Sequence, residues 1–253
     1  MRSAMRILIL SAAVLALTCH AQVKLPLNVP KAAESLLPKN TVALTESEVA
    51  GGLKEALVAG VKSGSSLLGS VGGFAQSEVY RLALPPEVAD LEAKINANPV
   101  LRAALKPQIE QLKTKLNEGA ERAASKSFPI FREAVVGMSV RDALGILKGG
   151  QGSATRYLRA ETEQPLQTAF RPAVQSALDE VEIAKYWEPV AKAINQNKRL
   201  LGRTEDIQTD LVAYVNQKAT DALFREIALQ EDRIRQDPVQ RTTELLRKVF
   251  GSL

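Results

Sequence analysis

Residues 139–158 read SVRDALGILKGGQGSATRYL, two short helical patterns hinged on a glycine turn. Val140, Ala143, Leu144 and Leu147 fall at i, i+3, i+4 and i+7, one apolar stripe of a helix. Ser139 is placed to cap that helix, with Asp142 three residues on. Gly149 and Gly150 stop it, because glycine enters left-handed backbone angles at no steric cost. Ser153 is then expected to cap a second helix, in which Ala154, Tyr157 and Leu158 repeat the spacing. Two stripes meeting at such a turn point to a chain built from helices.

N-terminal to the hinge the same period recurs. Thr45-Glu46-Ser47-Glu48 is a capping box, and the helix it opens carries Val49, Leu53, Leu57 and Val61 on one face. Gly52, Ala56, Gly60 and Gly64 recur every fourth residue as a ridge of small side chains. Each glycine costs about 1 kcal/mol of helix propensity, so the ridge predicts another helix packed at short range. Residues 69–77 read as a loop. Residues 79–84, VYRLAL, are the one β-prone stretch, but with no partner strand they read as an extended connector. Pro85-Pro86 starts a helix that Asn98-Pro99 ends. From 100 to 136 Ile109, Leu112, Leu116, Ala120, Ala123, Ile130, Phe131 and Ala134 stay in phase, with Pro107 and Pro129 expected to start or bend segments.

C-terminal to the hinge, Pro165 suits the first turn of a new helix carrying Leu166, Phe170, Val174 and Val181, and Pro172 is expected to bend it. Tyr186-Trp187 precede a short helix at Pro189, with Trp187 as a core or rim anchor. Residues 195–203 form a basic loop. From Glu205 to Gln236 there is no Gly or Pro, which predicts one long helix or two with a break near Asn216. Asp237-Pro238 is expected to start the last helix, which Gly251 closes. The fold expected is all-α: one domain, residues 45–253, a bundle of about eight kinked helices with short Gly/Pro loops and at most one short extended segment.

The first residues set the chemistry. Arg2 and Arg6 precede an apolar run at 7–17, long enough for the core of a secretory signal and too short for a membrane span. Cleavage after Ala21 makes 1–21 the signal peptide, 22–44 a proline-containing tether, and the periplasm the destination. A lipoprotein anchored through Cys19 is the alternative. The chain has one Cys and one His, Cys19 and His20, and cleavage removes both. What remains has no thiol or imidazole, which excludes Cys or His nucleophile–base pairs and the usual zinc ligands, and no metal or cofactor is expected. Without Arg2 and Arg6 the net charge falls from +5 to +3, and aromatics are 4% of the chain, which gives no reason to invoke nucleic acid.

Two groups of residues carry what polar chemistry there is. Asn117 and Glu121 share a helical face, Asp142, Thr155 and Tyr157 flank the hinge, and Tyr214 stands on the long helix. Brought together they make either a hydrogen-bonded network that fixes helix register or a ligand site. The turn of Gly149, Gly150, Gly152 and Ser153, with Arg156 one turn in, offers amides to an anion at a helix N-terminus, although a glycine stop and a serine cap use the same letters. Glu226, Glu231, Asp232, Arg233 and Arg235 read as a salt-bridged helix face. The basic loop 195–203 suits solvent, anionic lipid headgroups or a polyanionic partner.

Over residues 44–250 the chain resembles a family of exported bacterial proteins, domain of unknown function 4197. The resemblance rests on Gly52-Leu53-Lys54-Glu55-Ala56-Leu57, Gly73-Phe74, and Asn117 with Ala120-Glu121. It continues through Asp142-Ala143 with Ile146-Leu147, Ala154-Thr155 with Tyr157, Tyr214-Val215, and Leu223-Phe224 with Ile227-Ala228. It ends on Glu231, Ile234-Arg235, Asp237-Pro238 and Val249-Phe250-Gly251. Asn216, Ala222 and Glu118-Gly119 depart from the family's usual letters. The resemblance implies an exported helical protein of a Gram-negative-type envelope and transfers no activity. Three functions stay open: a non-enzymatic module that binds an envelope protein or itself, a small apolar-ligand binder gated at the hinge, and a carboxylate-dependent cell-wall hydrolase. The last requires Glu121 and Asp142 to face each other across a cleft.

Overall fold

A computed structural model describes residues 44–253; the leader, its cleavage point, the Cys19 anchor and all but the last residue of the tether lie outside the described residues. The helical patterning resolves into α1 (Glu46–Leu68), α2 (Pro86–Ala97), α3 (Pro99–Ser125), α4 (Ser127–Gly137), α5 (Ala143–Lys148), α6 (Ser153–Glu180), α7 (Ile183–Gln196), α8 (Leu211–Gln236) and α9 (Glu244–Phe250). One 3-10 turn, Pro238–Gln240, joins the last two, and among the described residues there is no strand.

The helix α8, free of glycine and proline, is the axis, packing on α1, α6 and α3. The small ridge of α1 explains how closely the first of these approaches. A Cβ on Gly60 would stand 2.9 Å from Ile227 Cα, and one on Gly64 would stand 3.0 Å from Glu226 Cβ. Further along, a Cβ on Gly52 would fall 2.7 Å from Val249 Cγ2 in α9. The helix propensity given up is therefore offset by backbone-to-backbone packing. Phe131 of α4 meets Phe170 of α6 edge-on at 5.7 Å and Phe224 of α8 at 5.9 Å. Trp187 is partly buried against the same core. The two ends of the domain are tied by Lys248, which with Thr45 holds the Glu48 carboxyl down to about 2.

Several boundaries differ from those the letters predict. Ser139 does not cap α5; Asp142 does, in the left-handed region at φ 50°, accepting from Gly145 N at 3.0 Å. The reason is Tyr157, whose hydroxyl donates to Ser139 O at 3.0 Å and accepts from Arg141 N at 3.3 Å, holding 139–141 out of the helix. Ser153 does not cap α6 either. Gly152, at φ 65°, takes the cap position, and Ser153 Oγ donates to Ile146 O at 2.6 Å.

Pro165 starts nothing, since α6 runs unbroken through both Pro165 and Pro172. Pro107 and Pro189 lie inside α3 and α7 in the same way. All four are exposed, so the carbonyls they leave unbonded four residues back face water rather than core. The segment 205–210 is not helical, because Asn195 Oδ1 takes Ile207 N at 2.7 Å and folds it back on the end of α7. Asp210 then caps α8, which continues through Asn216 without a break. Asp237-Pro238 opens only the 3-10 turn, and Thr243 caps α9.

Candidate functional site

The glycine hinge is where the letters suggested an anion, and an anion is there, supplied by the chain. Glu231 of α8 accepts from Ala154 N at 3.1 Å, Thr155 N at 2.8 Å and Thr155 Oγ1 at 2.7 Å, at the first turn of α6. Asp232 accepts from Gly152 N at 2.8 Å. Arg235, one turn on, donates to Glu231 Oε1 at 2.8 Å, to Leu147 O at 2.7 Å and to Ser153 Oγ at 2.7 Å, its guanidinium 5.5 Å from the Phe250 ring. The Glu231 side chain is wholly buried and that of Arg235 is 5% exposed. Such a pair holds only when its remaining donors and acceptors are satisfied, and here backbone from α5 and α6 satisfies them. Arg156 turns away and donates to Gln151 O at 2.6 Å, closing the turn. Gly149 ends α5, its N–H on Ile146 O, and Gly150 supplies the turn's other positive φ, 80°.

The expectation of a solvated charged face on α8 is thus corrected: Glu226, Glu231 and Arg235 are buried. Their phase carried a clue. Residues 224, 227, 231 and 234 fall on one stripe, which is the apolar face.

The second polar centre holds the segment between α1 and α2. Glu121 Oε1 accepts from Phe74 N at 3.1 Å and Ala75 N at 2.9 Å. Asn117 grips both sides of one peptide position, accepting from Leu82 N at 2.8 Å and donating to Leu82 O at 3.1 Å. That is the bonding a neighbouring strand would give, which is how a β-prone stretch is accommodated without a sheet. Tyr214 donates to Ala83 O at 2.8 Å, and Tyr80 donates to the Glu226 carboxylate. Burial raises the pKa of both tyrosines, and at Tyr80 the Glu226 charge adds to it. Sequence reasoning missed Tyr80 and Glu226 as partners.

The six predicted polar residues therefore form two groups. Asn117, Glu121 and Tyr214 serve the connector, while Asp142, Thr155 and Tyr157 serve the hinge. Glu121 and Asp142 accept from different backbone segments, 74–75 and 145, so the facing carboxyl pair that the cell-wall hydrolase reading requires is not formed by these two residues. Among the described residues no three His, Cys, Asp or Glu side chains gather as a metal site.

Space for a ligand lies elsewhere. A groove of about 600 Å3 runs between α4 and α6. Its walls are Ile130, Ala134, Met138, Pro165, Leu166 and Ala169; its charged rim is Glu133, Arg141 and Glu161. Tyr157 fixes its end by clamping 139–141. A smaller cleft lies between residues 79–83 and α8. No described helix is long and apolar enough to cross a membrane.

A family model described as "Protein of unknown function (DUF4197)" matches residues 43–251. No curated protein and no solved structure matches the chain.

Proposed function

The chain belongs to the DUF4197 family of proteins of unknown function, and from that premise we propose that it is an exported, non-enzymatic binding module of the cell envelope. Its binding element is the groove between α4 and α6. One observation carries the reading: the groove's volume and lining, an apolar body with a few charged groups at the lip, match what small-molecule sites require. Met138 gives the wall a side chain that adapts to different shapes. The ligand that suits it has an apolar body and a polar head that reaches Arg141 or the two rim glutamates. The polar residues best placed for chemistry support a binding role, because each is already engaged inside the fold, with backbone or, for Thr155 and Glu226, with another side chain. Export rests on the leader read from residues 1–21.

Native mass spectrometry of the protein purified from its own envelope tests this directly. A bound molecule is expected to persist in the native protein and to be lost in the variant Ala134→Trp, whose indole fills the groove. A native protein with no adduct, and no change in apolar dye binding on Ala134→Trp, would sink the reading. N-terminal sequencing of the same preparation is expected to begin at Gln22; an intact Met1 would remove the export claim.

A further inference from the structure

Residues 79–83 and the outer face of α8 enclose a cleft of about 290 Å3, separate from the α4–α6 groove. Arg81 reaches it from one wall, Lys218 and Arg225 from the other. Lys218 and Arg225 are two turns apart on one face of α8, about 10 Å along the axis, within which long side chains can converge. Each stands on a tyrosine. The Arg225 guanidinium is 5.9 Å from the centre of the Tyr80 ring, and the Lys218 ammonium is 5.9 Å from that of Tyr214. Seating on a ring fixes where a cation stands without neutralising it.

The rings are fixed in turn by their hydroxyls, Tyr80 on Glu226 below the cleft and Tyr214 on Ala83 O. Arg81 is steadied through Nε, which donates to Ala75 O at 2.8 Å, so its terminal nitrogens remain to face the cleft. Asp221 is the one acid lining the cleft among the described residues, and Arg159 of α6 holds its carboxylate. Among the described residues no carboxylate lies within ion-pair distance of Arg81, Lys218 or Arg225, whereas neighbouring cations on α6, Arg159 and Arg171, are paired. Three prepositioned positive charges around a concave floor make a receptor for an anion of matching size.

We propose that this cleft binds a phosphate ester, with Arg81 and Arg225 donating from their planar forks and Lys218 as a point charge. Two guanidinium forks and an ammonium offer more than one carboxylate's paired oxygens and single charge can meet, whereas the terminal oxygens and higher charge of a phosphate ester can engage all three. Val79, 57% exposed at the lip, would then meet whatever carries the phosphate. That carrier is either a soluble ester or a phospholipid headgroup.

Calorimetric titration of the purified protein with glycerol phosphate reads the first source. Co-sedimentation with phosphatidylcholine vesicles, with and without phosphatidic acid, reads the second. Binding in either arm is expected, and Lys218→Glu with Arg225→Glu should weaken it at least tenfold while far-UV circular dichroism stays unchanged. The neutral pair Lys218→Gln with Arg225→Gln should give a smaller loss in the same direction. The control is Lys185→Glu with Lys192→Glu, the same charge change at exposed sites two turns apart on α7, and it should leave affinity within twofold. If neither probe binds, or the control pair costs as much as the cleft pair, the proposal is overturned.

Discussion

Glu231 on α8 and Glu121 on α3 each accept backbone amides from a glycine-bearing turn, but they do so in different company. Glu231 is wholly buried and faced by Arg235, which also reaches two other segments. Glu121 is 8% exposed, accepts only from Phe74 and Ala75, and among the described residues has no cation within ion-pair distance. At the connector the carboxylate charge is met by amide dipoles and a little water. At the hinge it is met by a second buried charge, so neither partner can be removed without stranding the other. One grip is cheap to loosen, and the other locks three helices.

That contrast can be broken by experiment. Glu231→Ala leaves Arg235 buried without its partner and is expected to lower stability by about 3–5 kcal/mol in urea unfolding. Glu121→Ala strands two amides and should cost about 1–3 kcal/mol, with faster amide exchange confined to residues 72–84. Equal losses for the two variants would erase the distinction. Tyr214→Phe removes a single donor to Ala83 O and should cost about 0.5–1.5 kcal/mol, again at the connector alone.

The weakest test uses pH. Both Tyr80 and Tyr214 have pKa values raised above 10 by burial, so the fold favours their neutral forms. Their contribution is fully present below pH 10 and is lost as pH rises toward the folded-state values. Melting followed from pH 8 to 11.5 should fall above 10, with protection lost at 72–84 before 146–155. Tyr80→Phe with Tyr214→Phe should flatten that fall. A hinge that opens first would reverse the comparison.

Helix existence was legible because the apolar stripes of Val49 to Val61 and Leu166 to Val174 repeat at helical spacing, and the glycine ridge announced a close partner without naming it. The boundaries that failed were decided at long range. Nothing near Ser139 reveals that the Tyr157 hydroxyl will hold its carbonyl, and nothing near Ile207 reveals Asn195. Pro165 resembles a helix start, yet an exposed proline can sit inside a helix already under way, because water meets the freed carbonyl. The site was harder to read. Glu231 and Arg235 have the spacing of an exposed i,i+4 pair, and only their phase with Phe224, Ile227 and Ile234 betrays burial. Arg81, Lys218 and Arg225 are adjacent only because Asn117 and Tyr214 bring the connector against α8.

The crossing of α1 over α8 and α9 has a kinetic side. Thr243 donates to Glu55 across 188 positions and Lys248 to Glu48 across 200, and the glycine ridge meets Glu226 and Ile227 of α8 and Val249 of α9. A ribosome releasing this polypeptide from its first residue delivers α1 long before α8 and α9 exist to cover its glycine ridge. Acquisition of the native state must therefore wait for the last quarter of the sequence. Non-local closures of this kind slow the search, and a chain shortened before α8 would leave the glycine ridge of α1 bare while its faces against α3, α4 and α5 stay covered.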